Sequence, residues 1–202
     1  MSGAARRVQL EPAYLLHHYA WRDSSRILEL LTRSQGRVSV FARAARRGGS
    51  TLPATLQPFG ELLVSWTSRG EAGQLTGAER VRASSSLSGD CLMSAFYANE
   101  LLIKLLPRHD PHPALFDAYA TLLARLQDGD GHPARPLRLF EKRLLDELGW
   151  GLSLESDAGS GDPLVPLRSY RYRIDGGPEV IDGVAEGDLV FSGASLLSLA
   201  RE

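Results

Sequence analysis

Four arginines, Arg37, Arg43, Arg46 and Arg47, fall within eleven positions and run directly into Gly48 and Gly49. Arg37 and Arg43 bracket an apolar run, and the other two sit on the connection after it. Guanidinium groups offer a planar fork that matches phosphate oxygens, and a glycine-flanked connection lets them follow an irregular polyanion at little strain. Arg33 and Arg69 extend this set, with Arg6 and Arg7 as further candidates. The charge distribution points the same way: residues 1–80 hold eleven arginines against six acids, whereas the net charge of the whole chain is −1. From charge alone two readings stand, a solvated loop that aids solubility or a contact for a polyanion.

Other chemistries lack their defining groups. There is no H-E-x-x-H, no G-x-S-x-G and no G-x-x-x-x-G-K-[ST], so zinc protease, serine hydrolase and P-loop readings have no footing. Gly159 and Gly161 follow no strand, and Leu164 stands where a dinucleotide fingerprint needs its last glycine, so that stretch is read as a loop. His17 and His18 are adjacent on a predicted strand and point to opposite faces, which prevents joint metal binding and predicts one packed and one solvated ring. Asp146 and Glu147 are helix neighbours that do not converge. Cys91 is the only cysteine; it allows no intramolecular disulfide and is expected to be small buried filling. No catalytic residue, metal or cofactor is expected.

The elements that position the arginines follow from periodicity. Five short apolar runs, "AYLLHHYA", "SRILELLT", "RVSVFAR", "ELLVSWTS" and "GQLTGAERVRA", alternate with turn signals at the spacing of a small barrel. In the third, Val38, Val40 and Ala42 face one side while Ser39, Phe41 and Arg43 face the other. Five strands over this length suit the OB barrel better than a sandwich. Such a face combines cations with rings on which bases stack, and Phe41, Tyr14, Tyr19 and Trp66 are the candidate rings. Each is also ordinary core material for a small barrel. Beyond Gly89 the period lengthens to that of helices in "LMSAFYANELLIKLL", "HPALFDAYATLLARL" and "PLRLFEKRLLDELGWG", the last capped by Gly149 and Gly151. "YRYRIDGGPEVID" then reads as a strand pair.

The expected fold is α+β. Residues 1–83 form a five-stranded OB-fold β-barrel that binds DNA, and residues 84–152 a helical bundle domain. Residues 153–202 form a small irregular segment with short strands and the start of a C-terminal helix, packed on the helical domain. At 202 residues with 43% hydrophobic composition the chain can bury a substantial core. It has no run of eighteen apolar residues and no secretory signal pattern, so a bacterial-type cytoplasmic location with no membrane partner is expected.

The order of these pieces resembles the RecO family of bacterial DNA repair proteins. "RDSSRILELLTRSQGRV", the basic stretch after the third strand, "LQPF", "YANELL" and "LGW" carry the resemblance, which covers most of residues 8–195. It implies a recombination mediator, not an enzyme, that binds single- and double-stranded DNA, anneals complementary strands and helps load recombinase onto single-stranded DNA. It also implies two protein partners, RecR and the C-terminal tail of single-stranded DNA-binding protein. For that tail the resemblance assigns Arg138 to the terminal carboxylate, with Leu137, Phe140 and Leu144 near the pocket wall and Lys142 and Arg143 as weaker cations. Many members carry a four-cysteine zinc site where this chain has "LESDAGSGDP", so no zinc of that type is expected. Members usually continue past "SLLSLARE" with a basic helical tail, whose contacts this sequence would lack. The competing reading is a protein-interaction adaptor whose barrel binds a protein partner rather than DNA.

Overall fold

The computed structural model describes residues 6–21, 25–43, 55–68, 70, 72–81, 86–128, 132–181 and 189–202. The chain forms two compact units, Met1–Glu141 and Lys142–Glu202.

The first unit begins with a closed barrel in the strand order β1-β2-β3-β5-β4. Its strands are β1 (Arg6–Trp21), β2 (Ser25–Thr32), β3 (Gly36–Arg43), β4 (Glu61–Ser68) and β5 (Ala72–Arg80). The order is that of an OB fold. β1 is longer than its apolar pattern indicates because it serves two neighbours: Arg6–Tyr14 pairs with β4, and Ala13–Trp21 pairs with β2. Register shifts between Val8 and Glu11 and between Leu15 and His17 bend it from one neighbour to the other. Among the described residues, closure comes from a parallel seam of three pairs, Ser39–Ala72, Val40–Gly73 and Phe41–Gln74.

Alternation fills the barrel as the sequence indicates. Val38, Val40 and Ala42 join Leu28, Leu30, Leu62, Val64 and Trp66 in one buried cluster. Fully burying a side chain of this kind contributes about 1.5–3 kcal/mol. The β2–β3 turn needs Gly36, which takes φ +68° and lies so close to the later loop that a Cβ would meet the Asp110 carbonyl oxygen at 2.2 Å.

Three helices follow, α1 (Gly89–Leu105), α2 (Pro113–Asp128) and α3 (Ala134–Glu147). The buried residues of α2, Leu115, Phe116, Tyr119, Leu122, Leu123 and Leu126, repeat at three and four positions. Tyr14 on the barrel wall packs against the Phe116 and Tyr119 rings, each 5.1 Å away. Asn99 of α1 donates to the Leu16 carbonyl at 2.9 Å and accepts from the Tyr119 hydroxyl. Burial pushes the Tyr119 phenol far above its ordinary range, so it donates as a neutral group. Cys91 is half-buried rather than buried as expected. No helix is long and apolar enough to cross a membrane among the described residues.

In the second unit Gly149 ends α3 at φ +78°, with the Trp150 amide donating to the Leu145 carbonyl at 2.8 Å. Strands β6 (Ser169–Arg173), β7 (Gly177–Ile181) and β8 (Val190–Ser192) form a sheet in the order β7-β6-β8, followed by α4 (Gly193–Ala200). Leu154, Leu164, Tyr170 and Leu196 are its buried cluster. The loop at Asp157 is held by that carboxylate, which accepts from the Gly159, Ser160 and Val180 amides at 3.0, 2.8 and 2.6 Å. These backbone donors, Ser160 foremost, hold the Asp157 carboxyl below its ordinary range.

Candidate nucleic-acid interface

Arg37, Ser39, Phe41 and Arg43 share one face of β3, because strand side chains repeat every second residue. The two ends of that face differ. Arg37 is mostly buried, its side chain 11% exposed, and lies 3.0 Å from the Glu29 carboxylate, itself 3% exposed. Its Nε donates to the Leu106 carbonyl at 3.1 Å. Glu29 also accepts from Arg108 at 2.8 Å and from the Ser39 hydroxyl at 2.6 Å. Arg37 therefore leaves the expected cationic track: its charge holds the loop after α1 against the barrel. The buried acid that neutralises it sits on the neighbouring strand.

Arg43 at the other end is exposed. It pairs across to Ser25, and Ser25 to Trp21; one step inward, Phe41 pairs with Ile27 and Ile27 with Tyr19. Pairing partners share a face, so Trp21, Tyr19, Phe41 and Arg43 lie together on the outer surface of β1–β3. Tyr19 and Trp21 are 46% and 45% exposed, and Phe41 is half-buried. Ring centroids of Trp21 and Phe41 are 6.1 Å apart, and His17 stands edge-on to Tyr19 at 4.5 Å. This is a platform of flat rings ending in a cation.

The sequence expectations distribute unevenly over it. Tyr19 and Phe41 are on the platform; Tyr14 and Trp66 are buried at 5% exposure and belong to the core. Trp21 and His17 are additions. They complete an alternation, His17, Tyr19, Trp21, that was visible in "HHYAW" had the strand been extended by one residue. Both His17 and His18 are exposed, contrary to the expected packed-and-solvated pair. β4 pairs with β1 only as far as Tyr14, so this end of β1 projects past the closed part of the barrel. Arg33 lies elsewhere, paired with Asp117 and 5.9 Å over the Phe116 ring. Arg46, Arg47 and Arg69 lie outside the described residues.

The residues assigned to a partner tail separate by burial. Leu137, Phe140 and Leu144 of α3 are 8%, 2% and 1% exposed, and Phe140 packs 6.0 Å from Tyr119. Arg138 is the exposed member and donates to Glu141. Burial, and then the Glu141 charge and hydrogen bond, raise the Tyr97 phenol above its ordinary range, which places this α1 side chain beside the same carboxylate. The exposed neighbour of Arg138 is thus Tyr97, with the largely buried Glu141 carboxylate beside both, and not the three apolar residues. Lys142 and Arg143 pair along their own helix with Asp146 and Glu147.

Comparison with known proteins adds the family. Residues 8–84 match the model for the recombination protein O N terminal region, and residues 87–186 match that for its C terminal region. A DNA repair protein RecO of Methylococcus capsulatus is 45% identical over 197 residues, covering 98% of this chain and 80% of that protein. The protein of that name from Aromatoleum aromaticum is 42% identical over 195 residues, covering 96% and 81%. That of Coxiella burnetii is 43% identical over 197 residues, covering 98% and 84%.

Proposed function

The chain belongs to the RecO family of DNA repair proteins, and from that premise we propose that residues 1–83 bind DNA through the outer face of β1–β3. The carrying observation is the platform of exposed Trp21 and Tyr19 and half-buried Phe41, with exposed Arg43 at its end. Unpaired bases stack on the rings, and Arg43, joined by Arg46 and Arg47 that follow it in sequence, neutralises phosphates of either single or double strands. Annealing then needs no catalytic group. Two strands held on one cationic surface repel each other less, and base pairing supplies the selection. With RecR and single-stranded DNA-binding protein as partners, the same surface would receive the strand onto which recombinase is loaded.

Fluorescence anisotropy with labelled strands at several salt concentrations tests this. Replacing Arg43, Arg46 and Arg47 with Ala should weaken binding equally on unrelated sequences. On single strands it should flatten the log–log salt slope by about 0.7 for each phosphate that is no longer neutralised. A variant that binds and anneals like the parent would favour the adaptor reading, in which the rings dock a protein. For the partner tail, Arg138 is the proposed cation and Tyr97 a neighbouring ring surface; Arg138→Glu should abolish binding of an acidic tail peptide, and unchanged affinity would remove the assignment.

A further inference from the structure

A cavity of about 420 Å³ opens beside the β3–β5 seam, and none of the platform residues lines it. Among the described residues, β5 pairs with Ser39–Phe41 of β3. Ahead of that point the gap is bounded by the paired ends of β1 and β4, where Arg6 faces Ser68 and Val8 faces Trp66. Val8, Val38 and Trp66 give the cavity an apolar wall. The seam lies tight against that wall: a Cβ on Gly73 would stand 2.5 Å from the indole Cδ1.

Among the described residues the polar lining is Arg6, Gln35, Ser39, Ser68 and His109, with no carboxylate. Arg6 donates to the Gln35 carboxamide oxygen, a neutral acceptor that orients the guanidinium without cancelling its charge. A flat apolar wall with a held cation at its mouth suits an anion that carries a ring. The volume falls in the lower part of the range of small-molecule sites, enough for one nucleotide unit and too small for a length of strand. We propose that this cavity binds a single nucleotide, its base against the Val8 and Trp66 wall and its phosphate at Arg6. The nucleotide is either free or the 5′-phosphorylated end of a DNA strand.

The three tryptophans, Trp21, Trp66 and Trp150, make the test selective. The full chain is prepared with 5-fluorotryptophan, and the fluorine resonances are assigned through Trp21→Phe and Trp150→Phe. The probes are deoxyadenosine 5′-monophosphate, deoxyadenosine, and one oligothymidylate with and without a 5′-phosphate. If the source is a free nucleotide, the monophosphate moves the Trp66 resonance saturably and neither oligonucleotide does. If it is a strand end, the phosphorylated oligonucleotide also moves Trp66. In both cases loss of the phosphate, or Arg6→Ala, weakens the response by about tenfold or more. A Trp66 resonance that ignores both phosphorylated probes, or an affinity unchanged in Arg6→Ala, overturns the proposal. The platform is read separately at Trp21: its silence toward unphosphorylated strands would count against DNA binding there and leave the cavity standing.

Discussion

Arg37 and Arg43 stand on the same strand, point to the same face and are the same residue type, yet one is buried against Glu29 and the other meets solvent. The difference is made by what crosses from neighbouring elements. At the Arg37 end, Glu29 and the loop carrying Arg108 close over the strand. At the Arg43 end, β1 and β2 contribute Trp21, Ser25 and Tyr19, none of which carries charge. An arginine count along a strand is therefore not a map of cationic surface. One end of β3 uses its guanidinium to hold the fold, and the other presents it.

The comparison breaks most sharply at Glu29. Glu29→Ala leaves Arg37 buried without its carboxylate and should lower unfolding stability in urea by about 3–5 kcal/mol. The salt slope of DNA binding by the folded fraction should stay as in the parent. A stability change close to zero would mean that the pair does not hold the loop. At the other end, Trp21→Ala should cost about 1–3 kcal/mol in single-strand affinity if one base stacks there. Stability and duplex affinity should barely move, and equal losses on both DNA forms would remove stacking from the mechanism.

Asp157 sharpens the contrast from the second unit, since its partners are amides and not arginines. Its depressed pKa stabilises the folded form above the unfolded value of about 4, and this contribution is lost as pH falls through the folded value. Stability should thus fall with acidification below about pH 4, and Asp157→Asn should flatten that dependence in pH-resolved melts. The smallest effect is expected at Arg33, whose pairing with Asp117 is 46% and 53% exposed. Arg33→Ala should cost under about 1 kcal/mol, less at high salt, because solvent already screens the pair.

The barrel interior was legible because Val38, Val40 and Ala42 alternate without interruption, and α2 because its apolar residues repeat at helical spacing. The first half of β1 was not in view, because Glu11 and Pro12 interrupt the apolar pattern ahead of Ala13. In the fold Glu11 is buried and accepts from the Ser34 amide at 2.6 Å, and Pro12 sits opposite Leu63. The fate of Arg37 was illegible for a different reason: its neutralisation depends on the register that sets Glu29 opposite Ser39 and on Arg108 returning from beyond α1. Long-range partners of this kind leave no local pattern. The platform was half legible, since Tyr19 and Phe41 were in view while Trp21 lay one residue past the expected strand end.

The seam gives the barrel an uneven resistance to opening. Among the described residues eight pairs join β2 to β3, against three that join β3 to β5. Amide hydrogens of Ala72–Gln74 should accordingly exchange with solvent sooner than those of Leu28–Leu31, since the shortest ladder is the cheapest to unzip. When it parts, Phe41 loses the strand at its back and the Trp66 indole loses its cover in the same event. A single breathing motion would then be felt on the outer surface and inside the barrel together.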